Sequence, residues 1–149
     1  MDAKFHHVAM AVKDMDRAVK FYRDLLGFEV DWESPHHKGE AMSKIVGLPE
    51  ADARITMLKG YGVRVELFHY YSPEGKDLGP RRQCDYGLTH MALRVRDLKP
   101  IHEKLAAAGV EFNCTPQNLR PGVWVTYMKD LEGNTIELVQ YSEDEVKWE

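Results

Sequence analysis

His7-Val8-Ala9-Met10-Ala11-Val12-Lys13-Asp14-Met15 returns later in the chain as His90-Met91-Ala92-Leu93-Arg94-Val95-Arg96-Asp97-Leu98. Each stretch opens on a histidine, alternates large apolar residues with others, and passes through a base to Asp and an apolar residue. The alternation predicts a half-buried strand, and the Asp predicts a helix N-cap. In both copies an apolar stripe at helical spacing follows: Met15, Ala18, Val19, Tyr22, Leu25 and Leu26, then Leu98, Ile101, Leu105 and Ala108. Gly27 and Gly109 stop the two helices, and Pro100 fits the first turn of the second.

Working outward, each helix leads to a strand-like piece, Phe28–Trp32 and Val110–Asn113. The copies also close alike. Val65-Glu66-Leu67-Phe68-His69-Tyr70 resembles Ile136-Glu137-Leu138-Val139-Gln140-Tyr141, each after a strand (Ile55–Leu58, Val123–Met128) and a Gly-containing turn. The prediction is an α+β fold of two βαβββ modules. Module 1 spans 1–71 with an insert at 33–53, in which Glu40–Val46 reads as a short helix. A linker of Gly, Pro and charge covers 72–87, module 2 covers 88–141, and 142–149 is an acidic surface tail.

The whole chain has 149 residues, and at about 100–200 residues per domain that is enough for one domain. With 44% hydrophobic and 30% charged residues it reads as globular, not disordered. A net charge of -4 argues against a nucleic-acid partner, which a clustered basic face would mark. Cys84 and Cys114 build no disulfide framework. No apolar run approaches the roughly 18 residues of a membrane span, and the first residues lack a signal peptide's apolar core. A cytoplasmic protein with a small-molecule partner, and neither nucleic acid nor membrane, is expected.

Strand side chains alternate between faces. Val8, Met10 and Val12 must face the first helix, as Met91, Leu93 and Val95 face the second. The opposite faces begin with His7 and His90 and continue with small residues, Ala9, Ala11 and Ala92, which leave room for a ligand. By the same parity Glu66 and Glu137 point away from the helices. Taken singly, a strand-start histidine or a strand glutamate is an ordinary surface group. Taken together, two imidazoles and two carboxylates on matching faces suit a divalent metal such as Zn, Ni, Co, Fe or Mn.

His7 to Val12, Ala18-Val19-Lys20-Phe21-Tyr22-Arg23-Asp24-Leu25-Leu26-Gly27-Phe28, Val65-Glu66-Leu67, Thr89 to Leu93 and Gly133-Asn134-Thr135-Ile136-Glu137-Leu138 carry a family pattern. The chain resembles the vicinal oxygen chelate superfamily, which includes glyoxalase I, methylmalonyl-CoA epimerase, extradiol dioxygenases, fosfomycin-resistance enzymes and bleomycin-binding proteins. The resemblance implies curled mixed sheets around a shared cleft and a homodimer. It also implies metal ligands from the first and last strands of each module: His7, Glu66, His90 and Glu137.

The chemistry that this implies is a lyase or isomerase reaction of the glyoxalase I or methylmalonyl-CoA epimerase type. The ion would stabilise an enolate while a carboxylate, Glu137 or else Glu66, takes the α-proton. Glu66 resembles glyoxalase I, since the epimerases often carry Gln there. The early arginine with which glyoxalase I holds glutathione is replaced by Ala9 and Ala11. Arg64 and Arg94 are candidates to hold an anionic substrate. One alternative is a non-haem Fe(II) dioxygenase using His7, His90 and Glu137, for which Glu66 is an unneeded ligand. Another is a drug-binding protein whose cleft is lined by Trp32, Phe68, Tyr70, Trp124 and Tyr127. His36-His37 reads as an exposed loop pair or a lid.

Overall fold

The computed structural model describes residues 1–143 and Trp148; of the acidic tail, residues 144–147 and 149 lie outside the described residues. The chain forms two compact units, Met1–Leu78 and Gly79–Glu149. Unit 1 runs β1 (Val8–Ala11), α1 (Met15–Lys20), a π-helical turn (Phe21–Leu25), β2 (Glu29–Lys38), α2 (Glu40–Val46), β3 (Asp52–Gly60) and β4 (Val63–Ser72). Unit 2 runs β5 (His90–Arg94), α3 (Leu98–Ala107), β6 (Gln117–Arg120), β7 (Val123–Lys129) and β8 (Thr135–Tyr141). Each unit folds one four-stranded mixed sheet, in the orders β1-β4-β3-β2 and β5-β8-β7-β6. In both, the first strand pairs in parallel with the last, and the other neighbours are antiparallel. This is the α+β architecture of repeated βαβββ type that the sequence predicts.

Asp14 caps α1 as expected, its carboxylate accepting from the Arg17 N–H at 3.0 Å. The helix then widens: the Leu26 N–H donates to the Phe21 carbonyl and Phe28 to Tyr22. That turn buries both Phe21 and Tyr22 against the sheet. Gly27 ends it at φ 77°, and a Cβ there would meet the Tyr61 hydroxyl at 2.8 Å. The same hydroxyl donates to the Leu26 carbonyl at 2.5 Å, so the turn and the β3–β4 hairpin are tied together.

At α3 the expectation is corrected. Asp97 occupies the N-cap position but makes no side-chain cap bond. Gln140 of β8 does this work, its Oε1 accepting from the Leu98 N–H at 2.8 Å. A helix end needs acceptors for its first amides, and a residue from the neighbouring strand supplies one here.

Two strands also differ from expectation. β2 continues well past Trp32 to Lys38, with irregular register between Val30 and Trp32 and between Ser34 and His37. His36-His37 therefore belong to a strand, neither loop nor lid. In unit 2 the piece at Val110–Asn113 forms only the Phe112–Met128 bridge, and the edge strand is Gln117–Arg120. All four of its residues are exposed, so it carries no apolar alternation to betray it. The Glu40–Val46 helix forms as expected.

Unit 1 has two apolar layers. Val65, Leu67 and Leu58 pack on the α1 side with Met15, Ala18 and Tyr22. On the other side Met42, Ala51, Ala53 and Ile55 form a cluster, joined by Val46, Leu48, Phe68 and Tyr70. Unit 2 has its core on the α3 side: Leu98, Leu105, Met128, Ile136 and Leu138. Among the described residues no helix is long and apolar enough to cross a membrane.

Candidate metal centre

Each unit brings one histidine and one glutamate together. His7 Nε2 lies 3.1 Å from Glu66 Oε2, and His90 Nε2 lies 2.9 Å from Glu137 Oε2. The ladder explains both pairs. Ala9 is opposite Glu66 in the β1–β4 register, and Ala92 is opposite Glu137 in the β5–β8 register. In each case the histidine lies two residues before that alanine and so shares its face. Both alanines are exposed, and their small side chains leave room beside each pair.

The rings are held from behind. His90 Nδ1 is 2.9 Å from the Thr89 hydroxyl, and His7 Nδ1 is 2.7 Å from His6 Nδ1. With Nδ1 engaged, Nε2 is the nitrogen left to face the carboxylate or an ion, the usual way a supporting group orients a histidine ligand. The carboxylates are more sheltered than the rings, with side chains 13% and 18% exposed for Glu66 and Glu137.

The donors thus fit a borderline divalent ion in type and orientation. In number, each unit supplies two. Among the described residues no group of three or more His, Cys, Asp and Glu stands together as a metal site. One unit alone falls short of the three or four protein ligands that a tightly held ion takes.

Around the pairs the units diverge. Tyr127 is opposite Glu137 in the β7–β8 register, and its ring centroid is 5.0 Å from that of His90. Burial, and then the negative charge of Glu137, hold its phenol above the ordinary tyrosine value. The corresponding position beside Glu66 is Met57. Further along the same face, Phe68 and Tyr70 stack at 5.6 Å in the cluster under α2. Burial and Glu66 likewise push the Tyr70 phenol up. Phe68 therefore packs under α2 while sharing the Glu66 face.

Arg64 is engaged by Asp31, whose carboxylate also takes Lys59. Hydrogen bonds from these two cations hold Asp31 below the usual carboxylate range. The Arg94 guanidinium lies over two rings, 5.6 Å from the centre of Tyr141 and 5.1 Å from that of Trp148. Trp32 is opposite Met57 and shares the Glu66 face. Trp124 does not share the Glu137 face: it pairs with Gln140, and Tyr127 lies three residues on, so its ring is on the α3 side. His36 is paired to Asp52 at 3.0 Å, and His69 Nδ1 is 3.2 Å from the Val12 carbonyl. The supporting roles of His6 and Thr89 were missed from sequence. Their place immediately before each candidate ligand was the available signal.

Residues 4–138 match the model of the Glyoxalase/Bleomycin resistance protein/Dioxygenase superfamily. The chain belongs to that superfamily. It is 34% identical over 121 residues to a 2-epi-5-epi-valiolone epimerase from an Actinomyces species, a match covering 78% of this chain and 66% of that protein, just under two thirds of its length. It is 27% identical over 137 residues to a probable lactoylglutathione lyase of Synechocystis, covering 91% and 94% of the two chains. The fold is that of a glyoxalase-family protein from Bacillus cereus, with a TM-score of 0.86 over 95% of this superfamily member and 96% of the other, at 19% identity.

Proposed function

We propose that the protein is a metal-dependent isomerase of the epimerase type, acting on a small molecule at a carbon next to a carbonyl. The observation that carries this reading is the duplicated His–Glu pair, one carboxylate per unit at equivalent register. Inverting a carbon centre requires one group to take a proton and another to return one, and two carboxylates meet that need.

His7 and Glu66 in unit 1, and His90 and Glu137 in unit 2, are the residues that would hold the ion. When bound, a divalent ion supplies Lewis-acid stabilisation of the negative charge that develops on the substrate's carbonyl oxygen. Glu137 is assigned as the base, with Tyr127 opposite it on the ladder as Met57 is opposite Glu66. Glu66 returns the proton. The exposed Ala9 and Ala11 give the open face of β1 no cation for a glutathione carboxylate, which favours epimerase over glutathione-dependent lyase chemistry.

The test is to load the protein in turn with Zn, Ni, Co, Fe and Mn. 2-epi-5-epi-valiolone, the compound in the Actinomyces relative's name, and a methylmalonyl thioester are then offered in D2O. Proton NMR should report exchange at one carbon beside the carbonyl, lost in Glu137→Gln. Oxygen uptake without exchange would instead make it a dioxygenase. Tight ligand binding that survives His7→Ala and Glu137→Ala, without turnover, would make it a sequestering protein.

A further inference from the structure

A cavity of about 430 Å³ opens on the α3 side of the unit 2 sheet, lined by Leu98, Lys99, Glu103, Pro116 and Trp124 among others. It is on the sheet face opposite Glu137, because Trp124 and Gln140, which line it, alternate with the residues of the Tyr127–Glu137 face. Its size is within the roughly 300–1,000 Å³ of small-molecule sites. The cavity and its charges are independent of the metal centre and of the function proposed for it.

The walls have a definite chemistry. Leu98, Pro116 and Trp124, a residue 45% exposed, offer apolar surface, the indole a flat one. The hydrogen bond from the Leu98 amide to Gln140 fixes the start of α3 against β8 at the cavity's edge. Lys99 and Glu103, both exposed, line the same cavity four residues apart on α3. Among the described residues neither makes an ion pair. Residues so spaced are about 5–6 Å apart at Cβ, so one cation and one anion border a single mouth, which His102 of the same helix also lines. A mixed-charge rim over an apolar, aromatic wall matches a ligand that is itself a zwitterion with an apolar body.

We propose that this cavity binds a free α-amino acid with a large apolar side chain. Lys99 faces the carboxylate, Glu103 faces the ammonium, and the side chain lies on Trp124. The test uses the ¹⁵N-labelled full chain at pH 7 with three probes: L-phenylalanine, 3-phenylpropionate and 2-phenylethylamine. L-phenylalanine should give saturable amide shifts in α3 and around Trp124, and each singly charged probe should bind more weakly. Lys99→Gln should weaken L-phenylalanine and phenylpropionate about two- to fivefold and spare phenylethylamine, and Glu103→Gln should do the reverse. Trp124→Ala should abolish binding that Trp124→Phe, which keeps a flat ring and the fold, retains. No saturable shifts, equal affinity for all three probes, or binding unchanged in both charge variants would overturn the proposal.

Discussion

The two units present the same His–Glu pair and enclose it differently. In unit 2 the neighbour across the ladder is Tyr127, and the open face also carries Arg94, set over the Tyr141 and Trp148 rings. In unit 1 the neighbour is Met57, and the face beyond is closed by α2 over Phe68 and Tyr70. A duplicated backbone therefore supplies equivalent donors, while side chains and one inserted helix divide the labour. Beside the pair, unit 2 sets a phenol and unit 1 a thioether with an aromatic cluster beyond it.

The largest test of that division is catalytic. Glu137→Gln should lower kcat by about 10³-fold or more and Glu66→Gln by about 10²-fold, within the usual span for a proton-transferring group. Equal losses, read by steady-state kinetics, would erase the asymmetry. Metal affinity should behave in the opposite, symmetrical way. His7→Ala and His90→Ala should each weaken binding by at least the about 10- to 100-fold typical of losing even a supporting partner. Competition with a chromophoric chelator measures it, and a variant that binds as tightly as the parent breaks the four-donor reading.

A smaller effect sharpens the structural half of the comparison. Met42→Ala removes the centre of the cluster under α2 and should cost about 2–5 kcal/mol. Hydrogen exchange should locate the loss in unit 1 and leave the amides of β5 and β8 unchanged. The helix itself was legible in sequence, but its burial was not, because a seven-residue stretch says nothing of which sheet face it will cover. The same limit explains the other misreadings. Trp124 looked like a cleft residue until the register put it on the α3 side. Gln140 gave no local sign of capping a helix far from it in sequence. The His–Glu repeat was legible because two-residue periodicity fixes a strand residue's face once the apolar set is known.

The smallest expected effect is on pH. Tyr70 and Tyr127 have raised values, one in each unit, so the stability they confer is present below the ordinary tyrosine range and lost as pH rises through the raised values. Alkali should treat the units alike. Acid should not. Glu33 is held low chiefly by its hydrogen bond from Arg54, which also pairs with Asp16, all within unit 1. A lowered carboxylate stabilises above its ordinary value and ceases to as pH falls through the lowered one. In unit 2 Asp85 is also held low, by hydrogen bonds from Arg82, but the two lie outside any strand. Amide protection around β2 and β3 of unit 1 should therefore be the more acid-sensitive, and Arg54→Met should reduce that sensitivity.

The pairing of the first strand with the last has a kinetic consequence. In each unit the histidine and the glutamate come from opposite ends of the chain segment, so they meet only when β1 docks on β4, or β5 on β8. Closing so long a loop is entropically expensive and earns no contacts until it is done. Each His–Glu pair thus exists only in a closed sheet and in no local segment of its unit. An ion that requires both members of a pair would report on completed folding, gaining its ligands only from chains that have finished the climb.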